Sequence, residues 1–222
     1  MLSLFDCKFY VINPLHMKRS FGLVRGKNDK VDALRIAQFI KKNHFEIKPY
    51  IPQREEIKTI QVLLAERSFK VKQKKELATK NKDNKVLSND LFSRKLTSKN
   101  NMLIKALSKQ IKELEEEIKV LISNATALNK INKQLTSIPG VGNILSWYII
   151  VKTNEFKSIK EPRKLACYAG VAPFANSSGT SVFGRNRVSF YADKSLKSLL
   201  HMGALSTIRH KNDLSEYYKR KV

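Results

Sequence analysis

The chain has 222 residues, with 43 Lys and Arg against 19 Asp and Glu, and its formal net charge of +24 indicates a polyanionic partner, nucleic acid being the first candidate. Because 42% of the residues are hydrophobic, the composition excludes wholesale disorder. The longest apolar run, residues 147–151, is far shorter than the about 20 residues of a membrane-spanning helix, so no membrane partner is expected.

The N-terminus, the cysteines and the histidines argue against three further classes of protein. Residues 1–6 lack the basic region and long apolar stretch of an export signal. Cys7 and Cys167 have no partner motif, which suits a reducing cytoplasm. The four histidines lack metal-ligand spacing, so a zinc site is unsupported.

Residues 1–52 are predicted to form an α/β segment. The β-prone residues 9–12 are followed by Asn13 and Pro14, which predicts a strand that ends in a turn. Residues 30–42 have apolar side chains at helical spacing, which predicts a helix with one buried face. The residues of this face are Val31, Leu34, Ile36, Ala37 and Ile40.

Two carboxylates stand at the start of that helix. Asp29 and Asp32 are three residues apart, which puts both on one helical face. One interpretation is structural, with Asp29 as the N-cap and Asp32 as a first-turn acid that the helix dipole favours. The other is that both bind Mg²⁺, although two acids would be only half of a two-metal site.

Residues 54–130 contain no Gly or Pro and are predicted to form long helices. Apolar residues follow a 3-4 spacing that is typical of a coiled coil. This seam predicts a homodimer or higher oligomer through residues 104–128; the alternative is a helical hairpin that packs only on itself, with a first helix near residues 57–71. The seam residues are Ile104, Leu107, Ile111, Leu114, Ile118, Leu121, Ala125 and Leu128.

Residues 131–222 are predicted to form a second compact unit. Pro139, Gly140 and Gly142 make a tight turn between helix-like runs at 128–137 and 143–151. Such a link can free backbone N–H groups to face a phosphate, as in a helix-hairpin-helix element. A plain turn between two helices is the equally weighted alternative.

A Gly/Ser-rich loop at 175–180, a hairpin near Gly184 and Arg185 and a closing helix at 194–208 are predicted next. Ser178 or Ser177 in this loop could attack a phosphodiester, with nearby cations stabilising the developing charge. The structural alternative is that Asn-Ser-Ser-Gly is simply a good turn. The cations near this loop are Arg185, Arg187 and Lys194.

Three motifs in this order resemble one family: KNDKVDA at 27–33, LTSIPGVG at 135–142, and AGVAP at 169–173 followed by Ser178 and Gly179. The family is that of the bacterial insertion-sequence transposases related to pilin-gene invertases, the bridge-RNA-guided recombinases. Its members have an RNase-H-like domain with four acids (DEDD), a coiled-coil insertion and a C-terminal serine domain. The resemblance covers nearly the whole chain.

The resemblance implies an α+β, mostly helical fold with three domains: part of an RNase-H-like domain at 1–52, a helical hairpin or coiled coil at 53–130, and the serine domain at 131–222. It implies that Asp29 and Asp32 bind Mg²⁺ and that Ser178 is the nucleophile, with Ser177 as the alternative. It further implies DNA as substrate, a guide RNA as partner, a composite site between subunits and a nucleoid location.

Departures from the family pattern add a further expectation. The family's first two acids lie upstream of the position of Asn13, where this chain has only Asp6. We therefore expect a chain truncated at its N-terminus, and at its C-terminus as well, that binds nucleic acid and dimerises without completing strand exchange. Near the C-terminus, Ala192, Asp193 and Lys197 stand where many relatives carry glycine and arginine.

Two other functions remain open from the sequence. One is a non-catalytic nucleic-acid-binding protein that uses its basic surface. The other is a metal-dependent nuclease in which the serine is only structural. Loss of activity in Ser178→Ala, or in Asp29→Asn and Asp32→Asn, would distinguish them.

Overall fold

The computed structural model describes residues 9–22, 28–47, 49–87, 91–178 and 182–221. These residues form nine helices and one two-stranded sheet, which confirms the prediction of a mostly helical α+β fold. The chain divides into two compact units, Met1–Pro52 and Gln53–Val222.

The first unit contains helices α1 (Pro14–Ser20) and α2 (Asp29–Asn43). The predicted strand at 9–12 is wrong, because these residues are irregular; Phe9 O accepts a backbone bond from Tyr50 N at 2.6 Å. No strand of the described part of this unit lies beside them to complete a ladder. Asn13 is the N-cap of α1, its Oδ1 accepting from Leu15 N at 2.9 Å, so Asn-Pro starts a helix instead of ending a strand.

Helix α2 is confirmed, but its predicted buried face is wrong. Phe39 is the buried residue of α2, with its ring edge-on to His16 at 5.6 Å and to Phe21 at 6.1 Å. Helix α1 is only two turns long and covers one side of α2, so the remaining apolar side chains stay exposed. The exposed residues of the predicted face are Val31, Leu34, Ile36, Ala37 and Ile40.

The second unit begins with a long helical hairpin of α3 (Glu55–Leu87) and α4 (Leu91–Asn124). Seam residues Ile111 and Ile118 are buried, Ile118 in the same core as Ile57 and Ile60 of α3. The seam is interrupted at Ala125, which is extended and is the N-cap of the next helix. The helical hairpin of the alternative is therefore present, but it does not pack only on itself, because Leu128, Trp147 and Ile150 belong to the same core. Ile111, Ile118 and Leu128 are buried inside this chain and are therefore unavailable to a second copy. The homodimer or higher oligomer through residues 104–128 stays a prediction.

Helix α6 (Asn143–Thr153) connects the two hydrophobic cores of the second unit. Trp147, Ile150 and Val151 belong to the core formed with the α3–α4 hairpin, and Leu145 and Ile149 belong to the other core. Because both sides of α6 are covered, its sequence is apolar all round. The hairpin-side core comprises Ile57, Ile60, Leu64, Ile118, Ile122, Leu128, Trp147, Ile150 and Val151.

The remaining helices surround α6. The predicted helix-turn-helix around Pro139 is confirmed as α5 (Thr126–Thr136) followed by α6, and the closing helix is confirmed as α8 (Lys194–Thr207). The short helices α7 (Pro162–Tyr168) and α9 (Asp213–Lys221) have no counterpart among the predicted elements.

Strands β1 (Pro173–Ser178) and β2 (Val182–Val188) form an antiparallel hairpin with an irregularity between Phe174 and Asn176. Residues 175–178, which belong to the loop predicted at 175–180, are the end of β1. Gly184 and Arg185, predicted as the turn, lie within β2, and the connection falls at 179–181, outside the described residues. The hairpin itself is confirmed, with its turn displaced toward the N-terminus.

Candidate nucleic-acid interface and serine hairpin

The two predicted acidic ligands lie in the first turn of α2. Asn28 is the N-cap, its Oδ1 accepting from Lys30 N at 3.0 Å, so the structural alternative placed the cap one residue too late at Asp29. Asp29 is exposed, and Asp32 pairs with Arg35 through Oδ1 at 3.0 Å. The guanidinium neutralises one of the two carboxylates that a cation would need.

The described residues do not fit a complete Mg²⁺ site. Among residues 9–22, 28–47, 49–87, 91–178 and 182–221, no group of three or more His, Cys, Asp or Glu is placed to hold a metal ion. Asp29 and Asp32 belong to the first unit, whereas Ser177 and Ser178 belong to the second.

The Pro-Gly turn serves close packing against the middle and end of α8. Gly140 has φ +83°, and a Cβ added there would lie 2.0 Å from Thr207 Oγ1 and 2.3 Å from Gly203 O. Thr207 Oγ1 also donates to Pro139 O at 2.8 Å. Gly140 is therefore required for helix packing, independently of any ligand.

Gly142 is the N-cap of α6 and faces open space, so its surroundings can admit a ligand. A pocket of about 500 Å³ beside it is lined by Glu115 and Glu116 as well as Lys119. Glu115 pairs with Arg67 at 2.7 Å and Glu116 with Lys119 at 3.3 Å, so these groups offer a phosphate no excess positive charge. A phosphate contact at Gly140 and Gly142 stays a prediction.

Ser177 and Ser178 end strand β1 of the hairpin at 173–188, which we call the serine hairpin. The register pairs Ser177 with Phe183 and Ser178 with Val182. Gly179, the other half of the Ser-Gly motif, is outside the described residues. Ser178 and Val182 are the last described pair of the ladder, so both serines stand at the end of the hairpin where its two strands connect.

Strand β2 carries the predicted cations. Arg185 and Arg187 are both exposed and, as alternate residues of a strand, share one face of β2. Lys194 begins α8 after the loop that follows β2, and its ammonium lies 5.3 Å from the centroid of the Phe190 ring. Lys194 is nine residues before Gly203, about 14 Å along the helix, so Lys194 and the Pro-Gly turn are separate sites.

Asp193 anchors the end of the serine hairpin to the helical core, a role that the motifs did not indicate. Its Oδ1 accepts from Leu196 N at 2.9 Å as the N-cap of α8, and its Oδ2 pairs with Lys152 Nζ of α6 at 2.7 Å. Its backbone N donates to Tyr168 O at 2.9 Å. An Asp before a helix start is a recognisable capping signal in the sequence. Its partner Lys152 is 41 residues away, so no local sequence signal indicates the ion pair.

The pKa values of this cluster are displaced by burial and by pairing. Burial opposes the charge of both groups, but the hydrogen bond between them prevails, so the pKa of Asp193 lies below its ordinary value and the pKa of Lys152 above it. Burial raises the pKa of Tyr168, whose OH lies 3.4 Å from Asp193 Oδ2. The pair is fully charged at neutral pH.

Two family models match this chain. The model described as "Transposase IS116/IS110/IS902 family" matches residues 132–219, and a DEDD transposase model of IS110 elements matches residues 1–90. The first match contains the Pro-Gly turn, the serine hairpin and α8, and the second contains Asp29 and Asp32. Within the described residues, no helix is long and apolar enough to cross a bilayer.

Three curated proteins are similar to the chain. Two are named "Pilin gene-inverting protein", from Moraxella bovis and Moraxella lacunata, each 28% identical over 201 residues, which is 89% of this chain and 59% of the relative. The third is "Insertion element IS110 uncharacterized 43.6 kDa protein" from Streptomyces coelicolor, 30% identical over 115 residues, covering 52% of this chain and 27% of the relative. The chain thus spans 59% of the length of the first two relatives.

The chain contains a basic helical unit with an arginine-bearing hairpin, and it matches transposase models at both ends. The class of protein is therefore a transposase. The chain belongs to the IS110 family of transposases.

Proposed function

We propose that this chain acts as a DNA recombinase that breaks and rejoins phosphodiester bonds through a covalent bond between Ser178 and DNA. This proposal departs from the expectation above that the chain does not complete strand exchange. The observation that carries the proposal is the position of Ser178 next to the tip of a hairpin whose second strand exposes Arg185 and Arg187. This hairpin lies inside the region that matches the IS116/IS110/IS902 transposases. Inversion of a pilin gene, which names two relatives, is itself a DNA rearrangement.

The proposed chemistry is a balanced exchange of phosphate esters. The Ser178 Oγ attacks phosphorus and loses its proton, the bond from phosphorus to the bridging DNA oxygen breaks, and that oxygen is protonated to a hydroxyl. Attack by a hydroxyl of the new DNA end on the phosphoserine reverses these steps and releases the serine. The guanidiniums of Arg185 and Arg187 supply positive charge for the phosphorane that forms in each step.

Ser177 is the competing nucleophile, because it is adjacent to Ser178 and is paired with Phe183, two residues before Arg185. Both serines precede the same Gly179 within two residues, so the motif alone does not separate them. The two single alanine variants are therefore matched controls for each other.

Asp29 and Asp32 are proposed as contributors to the metal site that the family assignment implies, and they would supply carboxylate oxygens of the kind that Mg²⁺ prefers. They do not make that site alone, since Asp32 is paired with Arg35 and no third ligand group is placed among the described residues. The strand-exchange steps above therefore use only the serine and the arginines.

The finer features of the family architecture are part of the same proposal. We assign 1–52 to an RNase-H-like domain and 131–222 to a serine domain containing a helix-hairpin-helix element at Gly140 and Gly142. DNA is the proposed substrate, and a guide RNA and an oligomer are the proposed partners. The net charge of +24 supports the polynucleotide partners.

A covalent-adduct assay tests the proposal. The purified chain is incubated with labelled insertion-sequence DNA, Mg²⁺ and the cognate guide RNA, then resolved on a denaturing gel. We expect a protein-linked DNA band that Ser178→Ala abolishes and Ser177→Ala retains. The reverse pattern would assign the nucleophile to Ser177.

Two other results would contradict the serine mechanism. Cleavage that Asp29→Asn and Asp32→Asn abolish, but both serine variants retain, would indicate a metal-dependent nuclease. Tight DNA binding without cleavage or adduct, unchanged in every variant, would indicate a non-catalytic binding protein.

A further inference from the structure

A cavity of about 380 Å³ lies between α3, α6 and the N-terminal end of α8, apart from the serine hairpin and the Pro-Gly turn. Its other walls are the aliphatic residues Val71 and Leu199, and the described residues that line it include no carboxylate. The polar lining consists of two cations and four hydroxyls, from Arg67, Lys194, Ser68, Tyr148, Ser195 and Ser198.

The two cations are held in different ways. Arg67 Nε donates to Glu115 Oε1 at 2.7 Å, and the Arg67 side chain is only 19% exposed, so the guanidinium is fixed in orientation. This bond leaves the donors on the two terminal nitrogens for a ligand. Lys194 is exposed and rests near the face of Phe190, which leaves its ammonium hydrogens available.

Two of the four hydroxyls, those of Ser68 and Tyr148, are hydrogen-bonded to each other, and the other two can donate to a ligand. Ser68 Oγ donates its single proton to Leu64 O at 2.8 Å, so Tyr148 OH must donate to Ser68 Oγ across their 2.5 Å contact. This pair forms a wall with no proton left to donate. The donors available to a ligand are therefore Arg67, Lys194 and the hydroxyls of Ser195 and Ser198.

The nearby carboxylates are already neutralised. Glu115 pairs with Arg67, and Asp193 pairs with Lys152 at 2.7 Å. Because the Arg67 charge is balanced by Glu115, the remaining charge of Lys194 makes the cavity positive overall. A fixed guanidinium, a mobile ammonium and two hydroxyls suit the several oxygens of a tetrahedral oxyanion, whereas a cation finds no anionic ligand there.

We propose that this cavity is a phosphate subsite that binds one backbone phosphodiester of a polynucleotide strand. The inference rests on the proposed function, because it takes the oxyanion from the nucleic acid that the serine hairpin would process. β2 ends at Val188 and α8 begins at Lys194, so one cation of the cavity follows the serine hairpin closely along the chain. The subsite would hold the strand in register beside the reacting phosphate without contacting a base.

Three variants that each lower the net charge by one unit test the subsite. Lys194→Gln removes its mobile cation. Ser195→Glu puts a carboxylate into the cavity at the second residue of α8, where the helix dipole favours an acid, so folding should be preserved. Lys109→Gln is the matched control, because Lys109 is 81% exposed on α4 and does not line the cavity.

The first measurement is an NMR titration of the full chain with inorganic phosphate, against chloride at equal ionic strength. We expect saturable phosphate-specific shifts of the Arg67 Nε–H and of the amides at 194–198 in the wild type and in Lys109→Gln. Ser195→Glu should lose them. Absence of these shifts in the wild type would overturn the subsite.

The second measurement is the salt dependence of binding to duplex DNA and, separately, to single-stranded RNA. We expect the slope of log K against log salt to fall by about one in Lys194→Gln and Ser195→Glu for the strand that occupies the cavity, and to stay unchanged in Lys109→Gln. Wild-type slopes in both cavity variants, with binding otherwise intact, would overturn this inference alone. No polynucleotide binding in dilute salt would overturn the proposed function as well.

Discussion

At the scale of single residues, Asp193 connects the two parts of the candidate site. Its carboxylate caps α8, pairs with Lys152 on α6, and so holds in place the helix whose first residue is Lys194. Lys152 is one-third exposed and Asp193 is 12% exposed, so the ion pair is only partly screened by solvent. Lys194, which follows the loop after β2, is therefore positioned by the helical core and not by that loop.

The variant Asp193→Asn separates the ion pair from the helix cap. Asparagine still caps a helix, so the main loss is the charge opposite Lys152. We expect a loss of about 1 kcal/mol at pH 7, below the about 3–5 kcal/mol of a fully buried pair because Lys152 is partly solvated. Urea unfolding followed by circular dichroism measures this difference.

The pH dependence of that difference has a definite sign. The pKa of Asp193 is lowered on folding, so its stabilisation is present above the ordinary Asp pKa of about 3.9 and lost as the pH falls through the lower folded value. The difference in unfolding free energy between wild type and Asp193→Asn should therefore shrink as the pH falls from 5 to 3, values that each lie about one unit from that pKa. An equal gap at both pH values would contradict the ion-pair assignment.

At the scale of elements, the apolar seam of α4 is a core-forming face. Ile118 is fully buried with Ile57, Ile60 and Leu64 of α3, and the seam ends where Ala125 leaves the helix. A heptad pattern has the same spacing whether its partner is another chain or a second helix of the same chain. The uninterrupted stretch without Gly or Pro did not indicate the break at Ala125.

The substitution Ile118→Ala tests this packing. We expect a loss of about 2–5 kcal/mol of unfolding free energy, because a buried side chain is truncated within one chain. Val120→Ala is the control on the same helix, since Val120 is 55% exposed and should change stability little. The measurement is the thermal unfolding midpoint at two protein concentrations that differ by about a hundredfold.

The concentration series distinguishes the two uses of the seam. An intrachain core gives the same loss at both concentrations, whereas a dimer interface gives a midpoint that rises with protein concentration. A strongly concentration-dependent midpoint that Ile118→Ala removes would contradict the hairpin packing of this face.

The elements that the sequence predicted are those that local pattern determines. Helix α2 follows from apolar periodicity, and the boundary between α5 and α6 follows from the Pro-Gly turn. The strand at 9–12 is not formed, and no strand among the described residues of its unit is there to pair with it; β-propensity alone does not make a sheet. The displaced turn of the serine hairpin shows that serine and asparagine favour turns but can also end a strand when the register demands it.

The parts of the candidate site that the sequence did not predict depend on long-range contacts. The partners of Asp193 and the lining of the Arg67–Lys194 cavity come from helices that are distant along the chain. Asn154, Glu155 and Phe156 follow α6 with φ of 49°, 56° and 61°, a left-handed run that local propensity disfavours for non-glycine residues. Buried Glu155 pairs with Arg54 at 3.6 Å and with Lys157 at 3.4 Å, contacts that help to hold this turn.

At the scale of the whole molecule, the positive charge and the two units organise the proposed activity. The acids of α2 belong to the unit Met1–Pro52, and the serines, the arginines and the phosphate subsite belong to the unit Gln53–Val222. The second unit therefore holds the groups for which we propose covalent chemistry and strand binding. A net charge of +24 favours contact with many phosphates, while the hairpin and the cavity assign roles to particular cations.

The most direct measurement is mass spectrometry of the covalent protein–DNA adduct after digestion by trypsin and nuclease. Trypsin releases residues 165–185 as one peptide, because Lys164 and Arg185 bound a stretch without other basic residues. Our account predicts a nucleotide on this peptide, with fragment ions that place it on Ser178. A nucleotide attached to any residue outside this peptide, or cleaved DNA with no protein adduct, would contradict the account.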